Sequence, residues 1–197
     1  MKVLGNESVS RRGLFSILPA GCLGCAGATM CSAQAPAEHS WTEKSDMTWE
    51  DVFRFSYQKD YIPLLKELAE QVGREKFVGM IQKATTDVVM KKAAQRPKRE
   101  ISMATLVAGW KTMPPLMQHA LTAEIVEETA TSFEYKVTKC LWAKSFLESK
   151  AGDIGYAAIC YPDYVVASSL NSKLKLVRTK TLMQGDDHCN LRYVMEG

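Results

Sequence analysis

Chemically reactive side chains are concentrated in the last third of the 197-residue chain, above all in the segment 185–193. This segment, GDDHCNLRY, holds two adjacent carboxylates, an imidazole, a thiol, an amide and a guanidinium behind one glycine. Two further cysteines lie upstream, Cys140 and Cys160, and Cys160 stands three residues before the carboxylate of Asp163. Because thiols near charged groups serve as nucleophiles or metal ligands, we expect the chemistry of the protein to lie here.

A hydrolytic site can be built from these groups in two ways. Cys189 beside His188, or Cys160 close to Asp163, would supply a thiol nucleophile and a group that accepts its proton. Side chains alternate between two faces along a strand, so His188 and Cys189 cannot reach one pocket unless a bulge intervenes. Cys189 is therefore predicted to share a face with Tyr193, and His188 to share the other face with Arg192.

Each of these residues also has a structural explanation. Buried cysteines most often pack as small apolar side chains. Asp186 and Asp187 after a glycine are typical turn formers, and a histidine at such a turn, His188, is expected at the surface. Arg178 and Arg192 can clamp a ligand carboxylate through two parallel hydrogen bonds, or can pair with protein carboxylates across a sheet. The coincidence of three thiols with a nearby aspartate favours a site.

The first half of the chain has helical periodicity. Thr48 followed by acidic residues predicts a helix start, and apolar residues then recur at three- and four-residue spacing. Pro63 is expected to mark a joint in this stretch, and Gly73 to end it. A second helix is predicted at 77–92 and a short third helix at 102–111.

After residue 118 the period changes to two. Alternation at 119–128 and at 133–137 predicts two strands, and helical spacing then returns, with Pro162 expected to break the helix. Residues 173–183 predict a third strand, whose partner 189–195 follows a turn. The order β-β-α-α-β-β indicates an α+β fold, in which a helical N-terminal half packs on an antiparallel sheet of about four strands.

Residues 1–35 resemble a twin-arginine export signal of bacteria. The pair Arg11 and Arg12 precedes an uncharged stretch rich in glycine and alanine. This predicts an exported protein, periplasmic or at the cell surface, whose partner during export is the twin-arginine translocase. A lipoprotein-like box ends at Cys22, so membrane attachment is expected only if that residue is lipidated.

The rest of the chain divides into a polar linker, 36–47, and a single α+β domain, 48–197. The formal net charge is +3, and removal of 1–35 takes away three basic residues and one acidic residue. A nearly neutral domain gives no reason to expect nucleic acid as a partner. Three cysteines remain in it, an odd number, so at least one thiol is expected to be free or bound to metal.

The spacing of these residues resembles the pattern of the L-2-amino-thiazoline-4-carboxylic acid hydrolase family over residues 120–194. The positions that carry the resemblance are Cys140, Cys160, Asp163, Asn171, Arg178, Thr179, Thr181, Gly185, Asp186, Cys189 and Arg192. The resemblance implies a small-molecule substrate and no required cofactor. The founding enzyme of that family opens a thiazoline ring at its C=N carbon to give a carbamoyl-cysteine.

Such a reaction needs an attacking group, a proton shuttle and a partner for the substrate carboxylate. The predicted catalytic residues are Cys160, Asp163, Cys189 and His188. The predicted substrate-binding residues are Asn171, Arg178, Asp187 and Arg192.

A second, weaker resemblance leads to a different class of protein. The residues from Leu182 through Gly185 to Cys189 are similar to the end of the 4-vinyl-reductase domain, a small-molecule-binding module whose cysteines hold zinc in some sensor proteins. Three thiolates and a fourth ligand make a closed structural zinc site. Its ligands here would be Cys140, Cys160 and Cys189. A third alternative is an export partner without activity of its own.

Overall fold

A computed structural model describes residues 46–96 and 100–197. The export segment 1–35, Cys22 and most of the linker 36–47 lie outside the described residues. The helices of the first part are α1 (Trp49–Phe53), α2 (Ile62–Val72), α3 (Arg74–Ala94), α4 (Met103–Lys111) and α5 (Pro115–Ala120), with a π-helical segment, Arg54–Tyr61, between α1 and α2. Within the described residues, no helix is both long and apolar enough to cross a membrane.

The second part of the chain alternates strands with short helices. Its elements are β1 (Leu121–Glu128), β2 (Ser132–Cys140), α6 (Leu141–Glu148), α7 (Gly152–Gly155), a π-helical segment (Tyr156–Cys160), α8 (Pro162–Leu170), β3 (Leu174–Val177), a 3-10 turn (Leu182–Gln184) and β4 (Cys189–Met195). The four strands form one antiparallel sheet in the order β1-β2-β4-β3. The predicted α+β class and the order β-β-α-α-β-β are confirmed.

The helix start at Thr48 and the stop at Gly73 are also confirmed. The Thr48 hydroxyl accepts a hydrogen bond from the Asp51 N–H at 3.1 Å, and the Asp51 carboxylate accepts one from the Thr48 N–H at 3.0 Å. This capping box satisfies two backbone donors that α1 leaves unpaired. Gly73 ends α2 with φ of 90°, a conformation that residues with a Cβ rarely adopt.

The joint predicted at Pro63 and the break predicted at Pro162 each fall at the boundary between a π-helical segment and an α-helix. Each proline lies in the first turn of an α-helix that directly follows a π-helical segment. The Ile62 N–H bonds to the Tyr57 carbonyl, and the Tyr161 N–H bonds to the Tyr156 carbonyl, both five residues back. Because proline lacks an N–H and clashes with the carbonyl four residues earlier, a wider turn before it lets the helix continue.

Two predicted strand boundaries were wrong. Residues 119 and 120 end α5 instead of opening β1, because Pro115 stands in a helical first turn, where a missing N–H costs nothing. The predicted strand 173–183 pairs only over Leu174–Val177. Beyond it, the Asn190 carboxamide oxygen accepts from the N–H groups of residues 179 and 180, and the Asp186 carboxylate accepts from that of residue 181. Side chains there take the place of a strand ladder.

Two apolar clusters make up the core. One lies between the inner face of the sheet and helices α4 and α8, and it includes Phe133, Tyr135, Leu176 and Tyr193. The other joins α2, α3, α6 and α7. Cys140 packs against both clusters, so the end of β2 is the junction between the sheet and the helical half.

Candidate active site

A buried ion pair joins the end of the sheet to the start of α8. Arg178 follows β3, and its side chain continues the inward-facing row of Leu174 and Leu176. That side chain is only 3% exposed, and its Nη2 lies 2.5 Å from Oδ2 of Asp163 in the first turn of α8. Nη1 donates to the Cys160 carbonyl at 3.0 Å. The guanidinium is therefore held by two groups on the segment that contains Pro162.

An aromatic ring packs beside the guanidinium of Arg178, whose Nε–H is an unused donor among the described residues. The Arg178 Cζ lies 5.5 Å from the ring centroid of Tyr164, close enough for a cation–π interaction. Among the described residues, the Nε of Arg178 is buried without a hydrogen-bond partner. An unsatisfied buried donor costs free energy, so this N–H is suited to receive an acceptor atom of a ligand.

Burial shifts the ionisation of the acidic groups around Arg178. Desolvation raises the pKa of Asp163 above its usual range, although the charge of Arg178 and its hydrogen bond oppose the rise. For Arg178, burial works to lower the pKa, but the charge and hydrogen bond of Asp163 outweigh it, and the net shift is upward. Arg178 therefore stays charged, and Asp163 is a stronger base than an aspartate in water.

All three cysteines of the described residues are free thiols in this neighbourhood. Burial raises the pKa of Cys160 to about 12 and that of Cys140 to about 11. The charge of Asp163 adds to the rise in both pKa values, so Asp163 acts electrostatically on Cys140 and Cys160. At neutral pH, Cys140 and Cys160 are protonated and weakly nucleophilic.

The thiols also have structural contacts of their own. Cys140 is the N-cap of α6, and its Sγ accepts a hydrogen bond from the Ala143 N–H at 3.4 Å. The Sγ of Cys189 accepts from the Leu182 N–H at 3.2 Å and lies 3.6 Å from the Thr181 hydroxyl. Within 46–96 and 100–197, no three His, Cys, Asp or Glu side chains are arranged to hold a metal ion. The donor arrangement thus gives no support to the zinc alternative.

Two pairs of tyrosines lie near the ion pair, and their role was not predicted from the sequence. The Tyr135 hydroxyl donates to that of Tyr193, and burial raises the pKa of both, with the charge of Asp163 adding to the rise. Tyr156 donates to Tyr164, and burial, followed by that hydrogen bond, raises its pKa to about 12. Strand alternation places Tyr135 and Tyr193 on the inner face, but the sequence does not predict that the charge of Asp163 acts on both.

Several predicted site residues lie away from the Asp163–Arg178 pair. Arg192 is on the outer face of the sheet, where Nε and Nη2 bond to the Glu127 carboxylate at 2.9 and 3.2 Å. The predicted alternation is confirmed here, because Arg192 pairs across the strands with the exposed Val177, whereas Cys189 shares the buried face with Tyr193.

The turn before β4 forms a separate surface cluster. The Asp187 side chain is 72% exposed and lies 2.9 Å from the Lys180 Nζ and 3.0 Å from the His188 Nδ1. Hydrogen bonds from Lys180 and then His188 lower the pKa of Asp187 to about 2, so it carries a charge at the surface. Asn171 braces a loop instead: its Nδ2 donates to the Ile101 carbonyl at 3.0 Å, and its Oδ1 accepts from the Lys173 N–H.

The sequence pattern of the L-2-amino-thiazoline-4-carboxylic acid hydrolase family matches residues 54–193. The chain belongs to this family. The match is longer than the resemblance seen at 120–194, and it includes α2 to α5 and the whole sheet except the last two residues of β4. In this hydrolase-family chain, the Asp163–Arg178 pair, the three thiols and both tyrosine pairs all fall inside the matched region.

Other comparisons of this hydrolase-family chain add little. The phenol-responsive sensory domain of the transcription activator PoxR, in its crystal structure with phenol, is similar over 68% of this chain and 71% of that domain. The identity is 14% and the TM-score 0.42. No curated protein sequence matches the chain.

Proposed function

We propose that the protein is a hydrolase that opens a C–N bond of a small cyclic amidine such as L-2-amino-thiazoline-4-carboxylate. The observation that carries the proposal is the buried pair of Asp163 and Arg178, in which a carboxylate of raised pKa adjoins a guanidinium with an unused Nε donor. Membership of the hydrolase family supports the choice of substrate.

Arg178 is the proposed anchor for the substrate carboxylate. Its Nη groups are occupied by Asp163 and by the Cys160 carbonyl, which fix the plane of the guanidinium and leave Nε to donate. A charge-assisted hydrogen bond from a buried arginine to a carboxylate is stronger than a neutral one. A fixed arginine therefore selects substrates that carry an anionic group near the ring.

Asp163 is the proposed general base. A water molecule adds through its oxygen to the C=N carbon of the ring while Asp163 accepts the proton of that water. That proton passes to the ring nitrogen, which takes up the π electrons of the C=N bond. When the tetrahedral intermediate collapses, the added hydroxyl gives its proton through Asp163 to the same nitrogen as the C=O bond forms and the C–N bond breaks, so one water is consumed and the carboxylate is regenerated. A base works best when its pKa lies near the working pH, and burial moves Asp163 in that direction.

The thiols are proposed as groups that shape the site, and not as the attacking group. Burial keeps Cys160 and Cys140 protonated near neutral pH, whereas a nucleophilic cysteine needs a lowered pKa. A thiolate at Cys160 or Cys189 remains the competing mechanism. The two mechanisms differ in which single substitution removes turnover.

The proposal is tested by following ring opening with purified protein and four variants: Cys140→Ser, Cys160→Ser, Cys189→Ser and Asp163→Asn. We expect the wild type to turn over the thiazoline carboxylate and Asp163→Asn to lose about 10²–10⁴-fold in kcat. The serine variants should keep most of the activity. Loss of turnover in a stably folded Cys160→Ser or Cys189→Ser would instead support the thiolate mechanism, and an inactive wild type would refute the proposed substrate.

We also propose that the protein is exported by the twin-arginine translocase, on the basis of Arg11 and Arg12. Replacing both with lysine should retain the precursor in the cytoplasm, as measured by cell fractionation. Unchanged export of that double variant would contradict the proposal.

A further inference from the structure

A small cavity lies between α4 and the free edge of the sheet. Its volume is about 160 Å³. On the helix side it is lined by Trp110 and by Met113, just beyond the end of α4; on the sheet side it is lined by Ile125, Phe133 and Tyr135. The ring centroids of Trp110 and Tyr135 are 4.0 Å apart, so two aromatic rings in contact form one wall.

The size and chemistry of this lining restrict the ligand. An apolar cavity of roughly 150 Å³ is large enough to bind one benzene molecule, and this recess has a similar volume although it is open to solvent at Ala123 and Ile125. Glu124 is the charged residue among the described lining residues, and its side chain is 63% exposed with the Lys136 Nζ 3.8 Å away. Lys136 offsets the charge of this carboxylate, and the rest of the lining is apolar, so an anionic ligand would lose hydration here without gaining a partner.

We infer that this cavity is a binding site for a neutral ligand of a single aromatic or heteroaromatic ring. Such a ring would pack against the accessible parts of Trp110, Met113 and Ile125, above a floor formed by the buried Tyr135 and Phe133, and an offset or edge-on contact with Trp110 is a geometry that aromatic pairs favour. The site goes beyond the proposed hydrolase, since it does not include Asp163 or Arg178. Tyr135 connects the two regions, because its ring lines the cavity while its hydroxyl bonds to Tyr193.

The position of β1 provides a way to fill the cavity without disturbing the core. Ala123 lines the cavity and is exposed on this edge strand, so a large side chain has room to enter the cavity from outside. Val126, on the same strand, is 52% exposed and is not part of the lining. Ala123→Trp and Val126→Trp are therefore a matched pair of variants, of which only the first blocks the proposed site.

The test is a titration of the folded full chain with benzene and with thiophene, in which the chemical shift of the Trp110 indole N–H reports binding. We expect saturable binding to the wild type, affinity at least about tenfold lower in Ala123→Trp, and affinity within about twofold of wild type in Val126→Trp, because an indole that occupies the recess leaves no room for a ligand ring. Benzoate should bind at least about tenfold more weakly than benzene, because the apolar lining would desolvate its carboxylate without supplying a partner.

A second variant keeps the inference testable if Ala123→Trp does not fold. Met113→Ala enlarges the cavity and should shift preference from benzene towards naphthalene. Absence of saturable binding by the folded wild type, equal affinity for benzoate, or unchanged affinity in a folded Ala123→Trp would each overturn the inference. Asp163→Asn should retain ring binding while losing turnover. The proposed ring-binding site and the proposed hydrolase activity can therefore be refuted independently of each other.

Discussion

Removing Arg178 should expose how much the buried pair contributes to stability. The side chain of Arg178 is 3% exposed and that of Asp163 38% exposed. Breaking a fully buried pair typically costs about 3–5 kcal/mol, but water at the partly exposed Asp163 offsets part of this cost. We therefore expect Arg178→Met to lower the free energy of unfolding by about 2–3 kcal/mol, a decrease in Tm of roughly 4–12 °C for a domain of this size.

The loss in free energy of unfolding caused by Arg178→Met should depend on pH. Without the charge of Arg178, the folded-state pKa of Asp163 rises further above its unfolded value of about 3.9. A carboxyl whose folded pKa is raised loses stability as the pH rises from the unfolded to the folded pKa. The difference between wild type and Arg178→Met, measured by urea unfolding, should therefore be smaller at about pH 5 than at about pH 8.

A double-mutant cycle separates the pair from its surroundings. We expect Asp163→Asn and Arg178→Met together to cost less than the sum of the two single changes, by at least about 1 kcal/mol. Arg192→Met is the matched control, because its partner Glu127 lies on the outer face and the exposed pair is worth about 0–1 kcal/mol. Additivity within about 0.5 kcal/mol, or an Arg192→Met cost equal to that of Arg178→Met, would refute the reasoning.

Two other predictions concern packing and thiol reactivity. Gly155→Ala places a Cβ 2.5 Å from the Cγ of Phe146 and should lower the free energy of unfolding by about 1–3 kcal/mol, as measured in urea. The control Gly79→Ala adds a Cβ with nothing within 4 Å and should stabilise helix α3 by about 0.5–1 kcal/mol. Equal effects of the two substitutions would contradict the packing argument. Alkylation of Cys160, followed by peptide mass spectrometry, should rise roughly tenfold for each pH unit up to about pH 10, because its pKa is about 12. A plateau near neutral pH would show a thiolate instead.

The predictable part of the fold came from local patterns. Alternating apolar residues placed Tyr193 and Cys189 on the buried face, and local chemistry located Thr48 as a cap and Gly73 as a stop. The strand after Val177 was overestimated, because β-branched residues favour a strand there but side chains across the turn bind the backbone groups first. Such competition depends on three-dimensional contacts that periodicity does not contain.

The candidate site was predicted in its members and not in its arrangement. Asp163 was predicted as a partner of Cys160, and Arg178 as a clamp together with Arg192. The bond between Asp163 and Arg178 was not predicted. Their pairing follows from the end of β3 meeting the first turn of α8, a relation set by packing of elements. The alternation rule had placed Arg192 opposite Cys189, and the same rule puts Arg178 on the inner face once β3 is known to start at residue 174.

The central claim, that Asp163 and Arg178 form the active site of a hydrolase, is tested most directly by the pH dependence of kcat/KM for opening of L-2-amino-thiazoline-4-carboxylate. Glu127→Gln, in the outer-face ion pair, is the control carboxylate variant. We predict a wild-type rate that falls on acidification with a midpoint above the usual aspartate range, retained in Glu127→Gln, and an activity about 10²–10⁴-fold lower without that midpoint in folded Asp163→Asn. A folded Asp163→Asn with wild-type kcat/KM and an unchanged pH profile would contradict the account.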